Sequence, residues 1–173
     1  MSGGKLVKAQ DLYGADYEIE ADKLEWSVHI YGIAVKGNKA MIVPQFDGYD
    51  WPGGTIEMGE DHLDALRREF KEETGLVARP VKLLNIWTSF FRHHKREEYR
   101  QSLLIYYLVE AEDGEISTEG FDEDERDYAQ EARWLSLDEI RQMRHACSID
   151  IAEDLLKFAE EAIKTSTAPP PNL

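Results

Sequence analysis

The chain has 173 residues, 42% of them hydrophobic, which is enough for one domain with a buried core and too many for general disorder. Its formal net charge of −15 argues against non-specific binding to nucleic acid backbones or anionic membranes, both of which need clustered Lys and Arg. The single cysteine, Cys147, has no disulfide partner and cannot build a Cys-rich zinc site, so a reducing, cytoplasmic setting is expected. No run approaches the roughly 18 apolar residues of a membrane span, and the N-terminus lacks the charged-then-apolar pattern of a secretory leader.

In chain order, residues 26–35 are apolar and β-prone, Lys36-Gly37-Asn38-Lys39 supplies turn chemistry, and Ala40-Met41-Ile42-Val43 resumes the apolar run, which predicts two adjacent strands and a tight turn. Residues 46–54 bring Gly48, Pro52, Gly53 and Gly54 together and read as a loop. From Asp61 to Thr74, Leu63, Leu66 and Phe70 recur at helical spacing with Ala65 beside them, so an amphipathic helix of about four turns is predicted, capped by Asp61 and stopped by Gly75. Residues 81–91 and 102–109 read as strands, residues 120–130 as an acidic loop, and Ala132-Arg133-Trp134-Leu135 as a short strand. Ser136 and Glu139 have the spacing of a capping box, which predicts a short helix to about Met143. A last helix is predicted over about 149–163, with Ile151, Leu155, Phe158 and Ala162 on one side. Interleaved strands and helices make this an α/β chain with a mixed sheet flanked by helices. The expected organisation is a single domain over 1–164 and a flexible tail over 165–173 carrying Pro169, Pro170 and Pro171.

The chemistry concentrates in the first helix. Glu69 meets Glu72 and Glu73 at i+3 and i+4, so three carboxylates are expected within reach of a common point. Two unit charges about 6 Å apart repel by roughly 0.7 kcal/mol in bulk water and about 3 kcal/mol at the effective dielectric of a protein surface. Arg68 and Lys71 offer relief, and a solvated, charge-laced helix face is one explanation. A site for a hard divalent cation such as Mg²⁺ or Mn²⁺ is the other.

The neighbouring residues separate the two. Gly54, five residues, Glu60, seven residues, Arg68-Glu69, the apolar Phe70, one residue, Glu72-Glu73, one residue, then Gly75 and apolar Leu76 resemble the Nudix box, the signature of the Nudix hydrolases, at every defined position. At average residue frequencies raised for an acidic chain, such a match arises by chance about once in a million sequences. Phe70 is bulkier than the aliphatic residue expected there, which bears on packing more than on catalysis.

The resemblance implies a Nudix-type α/β/α sandwich, a mixed β-sheet between helices, and hydrolysis of the diphosphate linkage of a nucleoside diphosphate joined to another group. That group could make the substrate an NTP, a nucleotide sugar, ADP-ribose or a dinucleotide. It further implies Mg²⁺ (or Mn²⁺) held by Glu69, Glu73 and the Gly54 carbonyl, with Glu72 either a ligand or the group that deprotonates water. Arg68 would orient a carboxylate, and Glu60 with Gly53 would support the loop-helix junction. Dimers are common among proteins of this kind, so a homodimer is compatible with the resemblance.

Outside the box, Glu123, Glu125 and Glu131 in or after the acidic loop are candidates for an additional ligand or base, against the alternative of a solvated loop. Arg92-His93-His94-Lys95-Arg96, following Trp87, Phe90 and Phe91, could clamp phosphates while an aromatic ring stacks on a base; Phe90 and Arg92 are the candidates, against an exposed basic loop. Adjacent histidines point apart on a strand, so no zinc site is read there. Tyr49 and Trp51 either line the pocket mouth or pack in the core, with Trp51 taken as a candidate contact. Two rival functions are a nucleotide-sensing domain without catalysis, which an incomplete carboxylate set would favour, and an isoprenoid diphosphate isomerase, which would need a catalytic cysteine where Cys147 is poorly placed.

Overall fold

The computed structural model describes residues 4–93, 97–121, 123, 125–146 and 151–167. The expectations placed on His94, Lys95, Arg96, Cys147 and the prolines at 169–171 lie outside them.

The described elements run β1 (Leu6–Gln10), β2 (Asp16–Glu20), β3 (Glu25–Lys36), β4 (Lys39–Gln45), β5 (Gly48–Asp50), β6 (Gly53–Thr55), α1 (His62–Thr74), β7 (Ala78–Arg92), β8 (Tyr99–Ala111), β9 (Arg133–Ser136), α2 (Leu137–Arg141) and α3 (Ala152–Thr167). The strands follow the order β2-β1-β7-β8-β3-β4-β5, with β6 added to β3 and β9 to β4. The β3/β8 and β1/β7 pairs are parallel and the others antiparallel, so the sheet is mixed, as the interleaved pattern predicts.

Two hydrophobic cores lie on opposite faces of this sheet. One gathers Ile30, Ala34, Met41 and Val43 with Ala65, Leu66 and Phe70 of α1. The other gathers Tyr31, Ile33, Ala40, Ile42, Tyr49 and Trp51 with Ile140 of α2 and Leu155, Leu156 and Ala159 of α3. Alternation along β3 and β4 sends successive side chains to the two faces, and this makes the helix-sheet-helix layering. Phe70, the bulky residue of the box, is fully buried with its ring flush against the backbone of Gly32.

The local signals hold where they were strongest. Asp61 caps α1 by accepting a hydrogen bond from the Leu63 N–H (2.9 Å), and Gly75 ends it in the left-handed conformation at φ 76°. Ser136 and Glu139 form both halves of the capping box at α2. That helix ends at Arg141 rather than Met143.

Three expectations change. Residues 46–54 are not a plain loop, because β5 pairs with β4 and β6 pairs with β3, recruiting the glycine-rich backbone into the sheet. The hairpin of β1 and β2 was not foreseen; it joins the sheet through one parallel contact, Gln10 to Phe91, that no local pattern encodes. Helix α3 runs Ala152–Thr167, past the end expected at about 163. Among the described residues, no helix is long and apolar enough to cross a membrane.

Candidate active site

The site forms where β6 delivers Gly53 and Gly54 to the inner side of α1. Register pairs Gly53 with Tyr31, Gly54 with Ile30 and Thr55 with His29. A Cβ on Gly54 would lie 2.6 Å from the Glu69 carboxyl carbon, so only a residue without a side chain lets that carboxylate rest on the strand backbone. Glu73, one turn further along α1, accepts a hydrogen bond from the Gly53 N–H at 2.7 Å. Helix and strand are therefore stitched together by the same two glutamates that the box supplies.

Both glutamates are buried, 7% exposed for Glu69 and 5% for Glu73. Burial pushes the Glu69 carboxyl up to about 7, against the pull of Arg68, and the neighbouring Glu72 and Glu125 add to the rise. Burial also raises Glu73 well above the usual carboxylate range, opposed by the Gly53 N–H and reinforced by Glu125, Asp50 and Glu69. These are carboxylates kept out of water next to one another, and each charge on them costs free energy unless a cation arrives.

Arg68 is the cation the chain itself provides. Its Nη1 lies 2.9 Å from Glu69 and 3.0 Å from Glu72, its Nε and Nη2 donate to both oxygens of Glu60 at 2.8 and 2.9 Å, and Nη2 also donates to the Thr55 carbonyl at 3.1 Å. The paired hydrogen bonds from Arg68 hold Glu60 down to about 2. The Glu60 carboxylate in turn accepts from the Glu57 N–H at 3.1 Å, bracing the entry to α1. Arg68 is thus a positioning residue, with Glu60 fixing the plane of its guanidinium.

Within the chain the three carboxylates do not share one partner. Glu69 and Glu72 converge on Arg68 Nη1, while Glu73 turns to the Gly53 N–H. Among the described residues, no three His, Cys, Asp or Glu side chains are gathered as a group able to hold a metal ion. The guanidinium takes the place that helical spacing alone left empty.

The carboxylates line one end of a cavity of about 660 Å³. Asp50, Glu57, Glu69, Glu72, Glu73 and Glu125 supply its acidic wall, faced by Arg68 and Arg100. A smaller recess of about 120 Å³ continues from it between Ser89, Ser102 and Leu104, sharing His29, Tyr31, Phe91, His93 and Arg100. His29 bridges the regions: its ring nitrogens lie 3.0 Å from the Ser27 hydroxyl and 3.3 Å from the Thr55 hydroxyl. Burial and the nearby Arg100 push it down to about 4, so its imidazole is neutral at physiological pH.

The candidates outside the box divide. Glu125 lines the cavity and acts electrostatically on Glu69 and Glu73, whereas Glu123 and Glu131 do not line it. Trp51 is fully buried among core residues and edge-on to Tyr49, so it packs rather than facing ligand. Phe90 and Arg92 sit on the wrong face of β7. Their neighbours Ser89 and Phe91 line the cavity, and the Arg92 guanidinium lies 4.5 Å from the centre of the Tyr17 ring. Strand parity could have found this, since Trp87 packs on Tyr106 of the inward face and Phe91 shares its parity. His29, Tyr31 and Arg100 were missed because only the pairing of β3 with β8 brings them beside the box. Phe46, at φ 53°, and Tyr128 stack at 4.5 Å on the cavity wall, again from segments far apart in sequence.

A family model, the NUDIX domain, matches residues 25–155. The chain belongs to the Nudix family. As a Nudix hydrolase it has relatives of more than one kind. Over 141 residues, 79% of this chain and 74% of the relative, it is 29% identical to an ADP-ribose pyrophosphatase of Methanocaldococcus jannaschii. It is 37% identical over 67 residues, 37% of this chain and 40% of the relative, to a probable DHNTP pyrophosphohydrolase of Lactococcus lactis. The fold is similar to that of a Nudix hydrolase from Nitrosomonas europaea, with a TM-score of 0.60 at 16% identity, covering 97% of this chain and 92% of that one. The Nudix box of this chain is thus set in the fold that its signature implied.

Proposed function

We propose that this Nudix hydrolase uses Mg²⁺ or Mn²⁺ to cleave the diphosphate linkage of a nucleoside diphosphate joined to another group, with ADP-ribose and nucleotide sugars the first classes to consider. The observation that carries the proposal is the pair of buried carboxylates, Glu69 and Glu73, set against the Gly53-Gly54 backbone at one end of a nucleotide-sized cavity. The similarity to an ADP-ribose pyrophosphatase over most of both chains supports the substrate class.

The donor set fits a hard divalent cation: it is all oxygen, crowded, and short of positive charge, with six carboxylates lining the cavity. Glu69, Glu72, Glu73 and the Gly54 carbonyl would hold the metal once the first two turn from Arg68 and Glu73 from the Gly53 N–H. Bound there, it would neutralise the diphosphate and lower the pKa of the attacking water. Arg68 would keep Glu69 and Glu72 in place and add positive charge next to the phosphates. Glu72 of the helix and Glu125 of the acidic loop both line the cavity and are the candidates to take the proton from water. Residues 1–164 would act as one catalytic domain. A cytoplasmic setting and a homodimer belong to the same proposal.

A Mg²⁺-dependent hydrolysis screen across NTPs, nucleotide sugars, ADP-ribose and dinucleotides, with product analysis locating the broken bond, tests this function. Turnover by wild type and none by a Glu72→Gln/Glu73→Gln double variant is expected. Equal inactivity of both proteins on every class would instead favour a nucleotide-sensing domain.

Metal dependence has its own readout. Glu69 ionises at about 7 in the folded protein and near 4.5 in a free chain, so the metal-free fold holds this proton more tightly than the unfolded chain does. Its contribution to stability is present below about pH 4.5 and lost as pH rises through about 7. Metal needs the ionised form, so the gain in melting temperature from millimolar Mg²⁺ over EDTA should be small at pH 5 and grow up to pH 8. A gain independent of pH would place the metal elsewhere.

A further inference from the structure

Given the hydrolase function proposed above, we infer that Arg100 is a specificity-determining residue that binds a phosphate carried one nucleoside-length away from the cleaved diphosphate. The favoured substrates are then nucleoside diphosphate derivatives with an additional phosphate on the ribose.

Arg100 faces both the main cavity and its recess. Among the described residues its buried Nε has no hydrogen-bond partner and its one ion pair, to Glu98, is long at 3.4 Å. A buried, unmatched guanidinium N–H costs free energy comparable to a lost hydrogen bond, so its retention at a cavity wall calls for a ligand. Arg68, the other arginine on this wall, is engaged by three carboxylates and a carbonyl. Arg100 is therefore the cation in the cavity that the carboxylate cluster leaves available.

The surroundings suit a phosphate. Phe91 is the cross-strand neighbour of Arg100, and Ser89 pairs with Ser102 two positions along β7 and β8, on the same face. His93 closes the same recess. A planar guanidinium binds phosphate through two parallel hydrogen bonds, and hydroxyl and imidazole groups can complete the shell.

Register supplies the distance. Gly54 pairs with Ile30, which pairs with Ile105, so the row of residues ending at the carboxylate cluster is five strand positions from Arg100. Five positions span about 16 Å of strand. Even an arginine side chain laid back along the strand towards the cluster would leave a gap about the length of a nucleoside, longer than one phosphate step along a polyphosphate chain. His29 and Tyr31 lie along that path on the cavity floor, with Tyr31 stacked on Tyr106 at 4.9 Å, and would run beside the ribose and base.

Three matched pairs of probes test this: ADP-ribose with and without a 2′-phosphate, NADPH and NADH, and coenzyme A and its 3′-dephospho form. In at least one pair, wild type is expected to show a KM about tenfold lower for the phosphorylated member. In Arg100→Gln the KM ratio within that pair should fall to about one, and Arg100→Lys, which keeps the charge without the fork, should fall between. Melting temperatures check that both variants fold, and the wild-type ratio stands without either of them. No discrimination by wild type in any pair, or discrimination that survives in Arg100→Gln, overturns the inference. If neither member of any pair is hydrolysed, the hydrolase function is decided separately, by the wider screen above. The thermal shift of each pair in EDTA then decides about Arg100: a larger shift for the phosphorylated member in wild type alone supports it, and equal shifts overturn it.

Discussion

Glu73→Gln is expected to lower kcat by about 10²- to 10⁴-fold, the range seen when a group that stabilises developing charge or transfers a proton is lost. The same change should raise the melting temperature of the metal-free protein at pH 8. Glu73 is almost fully enclosed, and burial disfavours its charged form, as do Glu125, Asp50 and Glu69 around it. Glutamine preserves an acceptor for the Gly53 N–H and removes the charge. Opposite signs on activity and stability mark a residue kept for function at the expense of the fold. Steady-state kinetics and thermal denaturation in EDTA check both. Activity retained within tenfold, or a lower melting temperature, would show that Glu73 is a structural brace.

Gly53→Ala should have the largest effect on stability. Gly53 adopts φ 153°, a conformation that residues with a Cβ rarely reach, and a Cβ there would lie 2.6 Å from the Tyr31 Cα across the β3/β6 pair. Backbone strain of about 1–3 kcal/mol and overpacking of a similar size add to about 2–6 kcal/mol. For a chain of this length that corresponds to a fall of roughly 5–20 °C in melting temperature. Gly54→Ala forms the contrast. Its Cβ would meet the Glu69 carboxylate, the far end of a flexible side chain, so it should cost little stability and mainly displace a proposed metal ligand. Denaturation of both variants beside hydrolysis assays separates the two roles, and equal stability losses would refute the distinction.

These two outcomes share one physical cause. The site consists of charges held out of water, and the fold tolerates them because adjacent glycines let β6 approach α1 closely enough for the Gly53 N–H to hold Glu73 and the backbone at Gly54 to seat Glu69. Arg68 relieves part of the repulsion from within the same helix, bound in turn by Glu60.

Much of this was legible in the sequence because it is local. The i, i+3, i+4 spacing, the Asp61 cap, the Gly75 stop and the Ser136-Glu139 box each depend on residues within a turn or two of each other. Fixed distances from Gly54 through Glu60 and Arg68 to Glu73 were enough to name the family, since loop and helix length set where those residues land. Local spacing could place three carboxylates on one helix but could not say what filled the space between them. That depended on the rotamers of Arg68 and Glu73, and these depend on β6.

The other wall of the cavity was decided by tertiary structure alone. Phe91, His93 and Arg100 reach it because β7 and β8 hold one register from Asn85 to Arg92, past two shifts nearer the start of β7, while Phe90 and Arg92, one residue away in sequence, do not line it. His29 and Tyr31 reach it because β3 runs parallel to β8, about 75 residues distant in the chain. By itself, then, the sequence determined the reaction class, through a contiguous segment whose chemistry is written at helical spacing. Only the tertiary structure decided which side chains stand opposite the carboxylates, because strand pairing between distant segments assigns each residue to a face, and a shift of one position exchanges the two.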